Sequence, residues 1–296
     1  MNSTRWLQYA LLTTLAWGVW GAFTGLPSEH GFPDTLTYVV WALTMIVPAA
    51  WALRRAGTGF QRDRRSVLLG LAVGLLGAGG QMVLFRAVTM GPTYLIFPIV
   101  SLSPVVTIAL SLLLLGERTG RLGVAGIVLA VLSLPLFDYS PQPEAHHYGG
   151  WFYLSLGVMV AWGLQAYFIR LANATMSAES IFAYMMLTAL LFIPVAFVLT
   201  DFSKPVYLGL SGPWLAAGVQ ILNAVGALLL VYAFRYGKAI VVSPLVNAGA
   251  PLLTAVISLG LAGTLPGPYK LAGILLALGG ALCLSLQPDT PGPTSS

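Results

Sequence analysis

Apolar stretches long enough to cross a lipid bilayer, divided by short polar segments, follow one another from end to end of this chain. A hydrocarbon core of ~30 Å takes about 20 helical residues. On that scale the pattern predicts ten helices, over 6–24, 36–53, 67–89, 93–115, 121–138, 149–170, 181–200, 213–235, 239–261 and 269–286. The first stretch follows Arg5 in the manner of a secretory signal. It offers no convincing small-residue cleavage site and runs through Leu26-Pro27 into a loop and a further span, so it is read as a helix. The expected fold class is an all-α polytopic membrane protein, with residues 287–296, rich in Pro, Ser and Thr, as a disordered tail.

Polar and small positions inside these helices recur in register. Adding 146 carries Gly70, Gly74, Gly77 and Gln81 onto Ala216, Gln220, Asn223 and Ala227, one helix face in each half. Ala16-Trp17-Gly18 returns as Ala161-Trp162-Gly163 at an offset of 145, and Ala87, Gly91 and Pro98 return as Ala233, Gly237 and Pro244 at 146. Ala125-Gly126-Ile127 returns as Ala272-Gly273-Ile274 at 147. The chain therefore divides into a first repeat, 1–140, and a second, 141–286, of five helices each. Five is odd, so the second copy enters the membrane from the opposite side, and a pseudo-two-fold axis in the membrane plane relates the halves. Two near-equivalent packings, one open to each side, follow from that symmetry.

Composition agrees. The chain is 57% hydrophobic and 8% charged, with mean hydropathy +0.85, whereas soluble chains carry about 25% charged residues. A net charge of +5 suggests nucleic acid at first sight, but the basic residues lie in short segments between apolar runs. With both termini cytoplasmic, 11 Lys and Arg fall inside and 3 outside, the positive-inside pattern. No nucleic-acid partner is expected. Trp6, Tyr9, Tyr148, Trp151, Tyr236 and Tyr269, near helix ends, suit an interfacial belt, and the lone Cys283 excludes an internal disulfide.

Ten helices in two repeats, the Trp-Gly pair in the first helix of each, the pairs Gly91/Pro98 and Gly237/Pro244, and Gly116-Glu117-Arg118 closing the fourth helix together resemble the EamA-type families of the drug/metabolite transporter superfamily. Within it the chain is most similar to the YddG-type aromatic amino acid exporters. It departs from a strict repeat at Gly263-Thr264, which replaces Gly116-Glu117. The resemblance implies export of amino acids and related metabolites from the bacterial cytoplasm, across the inner membrane, through a central cavity between the halves.

Candidate contacts can be read from the residues themselves. Trp17 and Trp20 share a face with Thr13, Gly21 and Thr24, as Trp162 and Gln165 do with Ala166 and Ile169. Aromatic rings beside small residues and amides suit a pocket that packs a side chain and bonds a polar head; the alternative is that the rings fill space between helices. Gln81, Gln220, Asn223 and Asn247 carry the same choice between a ligand contact and a helix-to-helix link. Gly79-Gly80 would leave room beside Gln81, while Tyr94, Phe97 and Ser101 are candidates for an opposite wall. Pro98 and Pro244 each remove a helical hydrogen bond and are candidate hinges, with Pro104 and Pro251 at a second repeated position.

Every Asp, Glu and His falls in a loop, a tail or a helix end. No mid-helix carboxylate or imidazole is present for a proton relay or a sodium site. Glu144 with His146-His147 is read as solvated loop, and no phosphate loop or catalytic triad is found. The expected protein is a transporter rather than an enzyme, without cofactor or metal, carrying aromatic and other apolar amino acids down their gradient, with the lipid bilayer as its surroundings and a monomer sufficient. The same fold carrying drug-like cations or other small metabolites is the nearest alternative.

Overall fold

The computed structural model describes residues 5–57, 59–115, 120–138, 149–236, 239–263 and 265–286. Glu117, Glu144, His146, His147 and the C-terminal tail lie outside the described residues. Helix covers each of the ten stretches predicted from the sequence. In chain order the elements are α1 (Arg5–Phe23), a short α2 (Leu26–Glu29), α3 (Asp34–Thr44), α4 (Ile46–Ala56), α5 (Arg64–Val88), α6 (Thr93–Val100) and α7 (Ser103–Leu115). They continue with α8 (Arg121–Asp138), α9 (Gly150–Asn173), α10 (Ala178–Leu191), α11 (Ile193–Leu199), α12 (Leu215–Tyr236), α13 (Ala239–Ala262) and α14 (Pro268–Ser285). Among the described residues, seven helical stretches are long and apolar enough to cross a membrane, and Arg121–Leu136 and Pro268–Leu284 are apolar but shorter.

Three predicted helices are broken. α3 passes to α4 at Met45, and α10 to α11 at Phe192. Pro48 and Pro194, 146 apart, stand just after those breaks, in the first turn of the next helix, where a missing N–H costs nothing. The third break, Ser101–Leu102, parts α6 from α7, and Pro104 likewise begins a helix rather than interrupting one. In the second half, α13 runs unbroken through Pro244 and Pro251. The halves thus share one kinked helix and differ in another.

Large apolar side chains face outward, while several polar ones are buried. Leu15, Leu68, Val131 and Val198 are 52%, 60%, 60% and 84% exposed, while Thr13, Ser133, Ser155, Ser180 and Gln220 are at 0%. Four of the buried hydroxyls bond back to their own helix: Thr13 to the Tyr9 carbonyl, Ser133 to Ala130, Ser155 to Trp151 and Thr188 to Tyr184. Such a surface is stable against hydrocarbon, not water.

The two repeats pack reciprocally. Gly18 of α1 lies against Leu253 of α13, and Gly163 of α9 against Val106 of α7. Thr254 Oγ1 donates to the Gly18 carbonyl at 3.0 Å, and Thr107 Oγ1 donates to the Gly163 carbonyl at 2.8 Å. α8 and α14 meet each other, Gly126 lying on Gly280 and Gly273 on Ser133. The repeat offset carries Gly18 onto Gly163 and Val106 onto Leu253, and likewise Gly126 onto Gly273 and Ser133 onto Gly280. Contacts in which i meets j′ and i′ meets j are the signature of a two-fold relation.

Candidate functional site

Two interhelical seams, α5 on α9 and α12 on α1, carry the residues singled out in the sequence. In the first, the indole of Trp162 lies on Gly80, where an added Cβ would come 2.6 Å from Nε1. In the second, Trp17 lies on Gly226, where an added Cβ would come 2.5 Å from the same ring atom. The sequence left open whether each Trp lines a pocket or fills space between helices. The glycine each rests on is across the seam, and the space expected at Gly80 is occupied by Trp162. Gly79 faces away, on the outward stripe of Leu68, Leu71 and Leu75, and nothing lies within 4 Å of where its Cβ would be.

The seams differ in how their polar groups are satisfied. On α12·α1, Trp17 Nε1 donates to the Asn223 carbonyl at 3.1 Å, and Trp20 Nε1 donates to Gln220 Oε1 at 2.8 Å. Gln220 Nε2 donates in turn to Thr24 Oγ1 at 3.3 Å. Gln220 is fully buried and links two helices. On α5·α9 the corresponding chain is missing. Gln81, 3% exposed, and Gln165, 8% exposed, hold amide nitrogens without an acceptor, and Trp41 of α3, 6% exposed, holds an indole N–H without one.

These three groups lie along one stripe of α5. Gly70 packs on Tyr184 and Gly74 on Thr188, both from α10. One turn on, the Gln165 amide sits against Gly77, where a Cβ would strike its Nε2. Gln81 follows at i+4, and Phe85, whose ring is 6.4 Å from that of Trp41, follows at i+8. Tyr38, 5.2 Å from Trp41 and bonded through its hydroxyl to the Ala189 carbonyl, closes the aromatic end. Trp20 and Phe97, in edge-to-face contact at 5.6 Å, belong to the same buried cluster, and Trp162 packs against it.

The other candidates lie apart. Tyr94 packs against the cluster of Leu95, Ile99 and Leu102, on the side of α8 and α14. Ser101 bonds to its own helix at the Pro98 carbonyl, 2.6 Å away. Asn247 is exposed. Asn223 contributes its backbone carbonyl to Trp17. Trp41 was missed by the sequence reading, though a tryptophan within an apolar run always raises the question of where its N–H goes. Gln61 was missed too. It accepts from Ser177 N at 2.6 Å and donates to the Thr175 carbonyl at 2.9 Å, and its own carbonyl takes the Tyr184 hydroxyl at 2.9 Å. The loop before α5 is thereby tied to the start of α10.

An all-helical bundle with an apolar skin, polar side chains among its buried residues and two reciprocally packed repeats defines a multi-pass membrane protein. The EamA-like transporter family model matches the chain twice, over residues 4–137 and 149–286, and the chain belongs to that family of membrane transporters. No curated protein matches it. One solved crystal structure superposes over 96% of each chain with a TM-score of 0.62 at 20% sequence identity, a likeness of fold.

Proposed function

We propose that this protein exports amino acids, aromatic and other apolar ones foremost, across the bacterial inner membrane. All ten helical rods cross the bilayer, with both termini in the cytoplasm. The observation that carries the substrate class is the lining of the α5·α9 seam: amide and indole donors among aromatic rings, with no charged side chain in the middle of any described helix. Such a lining matches a solute that is zwitterionic, hence neutral overall, and bears an apolar side chain. A permanently anionic solute would call for a Lys or Arg there. The resemblance to the YddG-type aromatic amino acid exporters points the same way. Transport proceeds by alternating access and by facilitated diffusion, since no mid-helix acid or histidine is available to couple a proton.

Counterflow in proteoliposomes tests this reading. Labelled phenylalanine should accumulate against a preloaded unlabelled pool, and an imposed proton gradient should leave the rate unchanged. A several-fold stimulation by that gradient would replace facilitated diffusion with coupling. Counterflow of lipophilic cations, with none of phenylalanine, would move the protein to the drug-carrying branch of the same superfamily.

A further inference from the structure

We propose that Gln81, Gln165 and Trp41 form an uncharged donor set that receives the substrate carboxylate, a reading that rests on the amino acid assignment above. Buried donors without acceptors are rare because each costs the full desolvation of the group. Among the described residues the buried unpartnered side-chain nitrogens are these three, and all of them stand along one stripe of α5. The buried hydroxyls of Thr13, Ser133, Ser155 and Thr188, by contrast, are satisfied within their own helices, and that of Thr254 by the Gly18 carbonyl.

Helix geometry brings the amides together. Gln81 stands one turn beyond Gly77 on the same face of α5. The Gln165 amide lies against Gly77, in space that a side chain at position 77 would fill. Trp41 stands one turn further, against Phe85. An indole N–H is a donor with no acceptor capacity, which makes the missing group an acceptor. A carboxylate fits best: charge-assisted bonds are the strong ones, and the zwitterion brings its own counter-charge. The related seam is filled internally, since Gln220 accepts from Trp20 and donates to Thr24. One seam is therefore a closed joint, and the other is a receptor.

The test uses Gln81→Leu, Gln165→Leu and Trp41→Phe, each of which keeps the bulk of the side chain and removes the donor. Wild-type counterflow of labelled phenylalanine should be inhibited by phenylalanine at least about tenfold better than by its methyl ester or by phenethylamine, the worth of one hydrogen bond to a charged group. The variants should lose that preference, and in the absence of amino acid their melting temperatures should equal or exceed that of the wild type, because an unsatisfied polar group has been removed. Lower melting temperatures with the preference intact would make the amides a water-bridged helix joint and overturn the proposal. Equal inhibition of the wild type by acid, ester and amine would overturn it while leaving amino acid transport standing. Absence of phenylalanine counterflow in the wild type would bring down both.

Discussion

At the scale of single residues, two buried glutamines of the same length have opposite fates. Gln220 spends its oxygen on Trp20 and its nitrogen on Thr24, whereas Gln81 leaves its nitrogen unpaired. Gln220→Leu should therefore lower stability by about 1–3 kcal/mol, since it strands the Trp20 N–H in an apolar interior. Denaturant or thermal unfolding of the purified variant measures this, and an unchanged melting temperature would mean that the bond does not stabilise the fold. The Trp–Gly contacts belong to the same scale. Trp17→Ala and Trp162→Ala should each cost about 3–5 kcal/mol through the space they vacate, so transport and stability should fall together. A loss of transport at full stability would assign the rings to the substrate instead. The sequence displayed the recurrence of Trp17 and Trp162 but not their contacts. A 145-residue offset says which residues are equivalent, and only packing says that each ring lies on Gly226 or Gly80 of another helix.

Helices were legible almost to their ends because hydrocarbon admits few alternatives to a regular apolar helix. α8 occupies 121–138 as predicted, and α13 occupies Ala239–Ala262 against a predicted 239–261. The breaks at Met45, Phe192 and Ser101–Leu102 were not legible, since proline composition marks where a helix can bend and not which neighbour makes it bend. Pro98 and Pro244 drew attention as hinges, yet the α6–α7 break stands three residues beyond Pro98, and α13 continues through Pro244. Gln61 was invisible for a related reason: it belongs to a loop, and its partners Thr175, Ser177 and Tyr184 are more than 100 residues away. It ties the two repeats at the face predicted to be cytoplasmic. Gln61→Ala should remove two side-chain bonds, worth about 1 kcal/mol each, and lower the melting temperature accordingly. Gln61→Glu, which keeps the oxygen facing Ser177 N and loses the donor to Thr175, should give about half that loss. Identical melting temperatures for all three proteins would show that the tie carries no load in the resting state.

Across the whole molecule the departures from two-fold symmetry are as informative as the symmetry. Thr107 on Gly163 mirrors Thr254 on Gly18, yet α6 and α7 are parted at Ser101–Leu102 while the equivalent stretch of α13, around Ala248-Gly249, is continuous helix. In an inverted repeat, exchanging the conformations of the two halves converts a state facing one side into a state facing the other. If alternating access operates here, the break should move: α13 should bend near Ala248-Gly249 in the opposite-facing state, as α6 and α7 join. Gly249 suits that role because its missing side chain already lets Thr14 approach, an added Cβ coming 3.0 Å from the Thr14 methyl. Paired spin labels at Leu245 and Leu259 in a Cys283→Ser background read the change directly. A straight helix holds fourteen residues at ~21 Å, and the bent state should add a shorter population whose share changes with substrate. The reciprocal pair across the present break, Pro98 with Leu112, should lengthen as the other shortens. A single unshifting distance at both pairs under saturating substrate would mean that the asymmetry is fixed, and that access alternates by rigid rocking of the halves rather than by exchange of a kink.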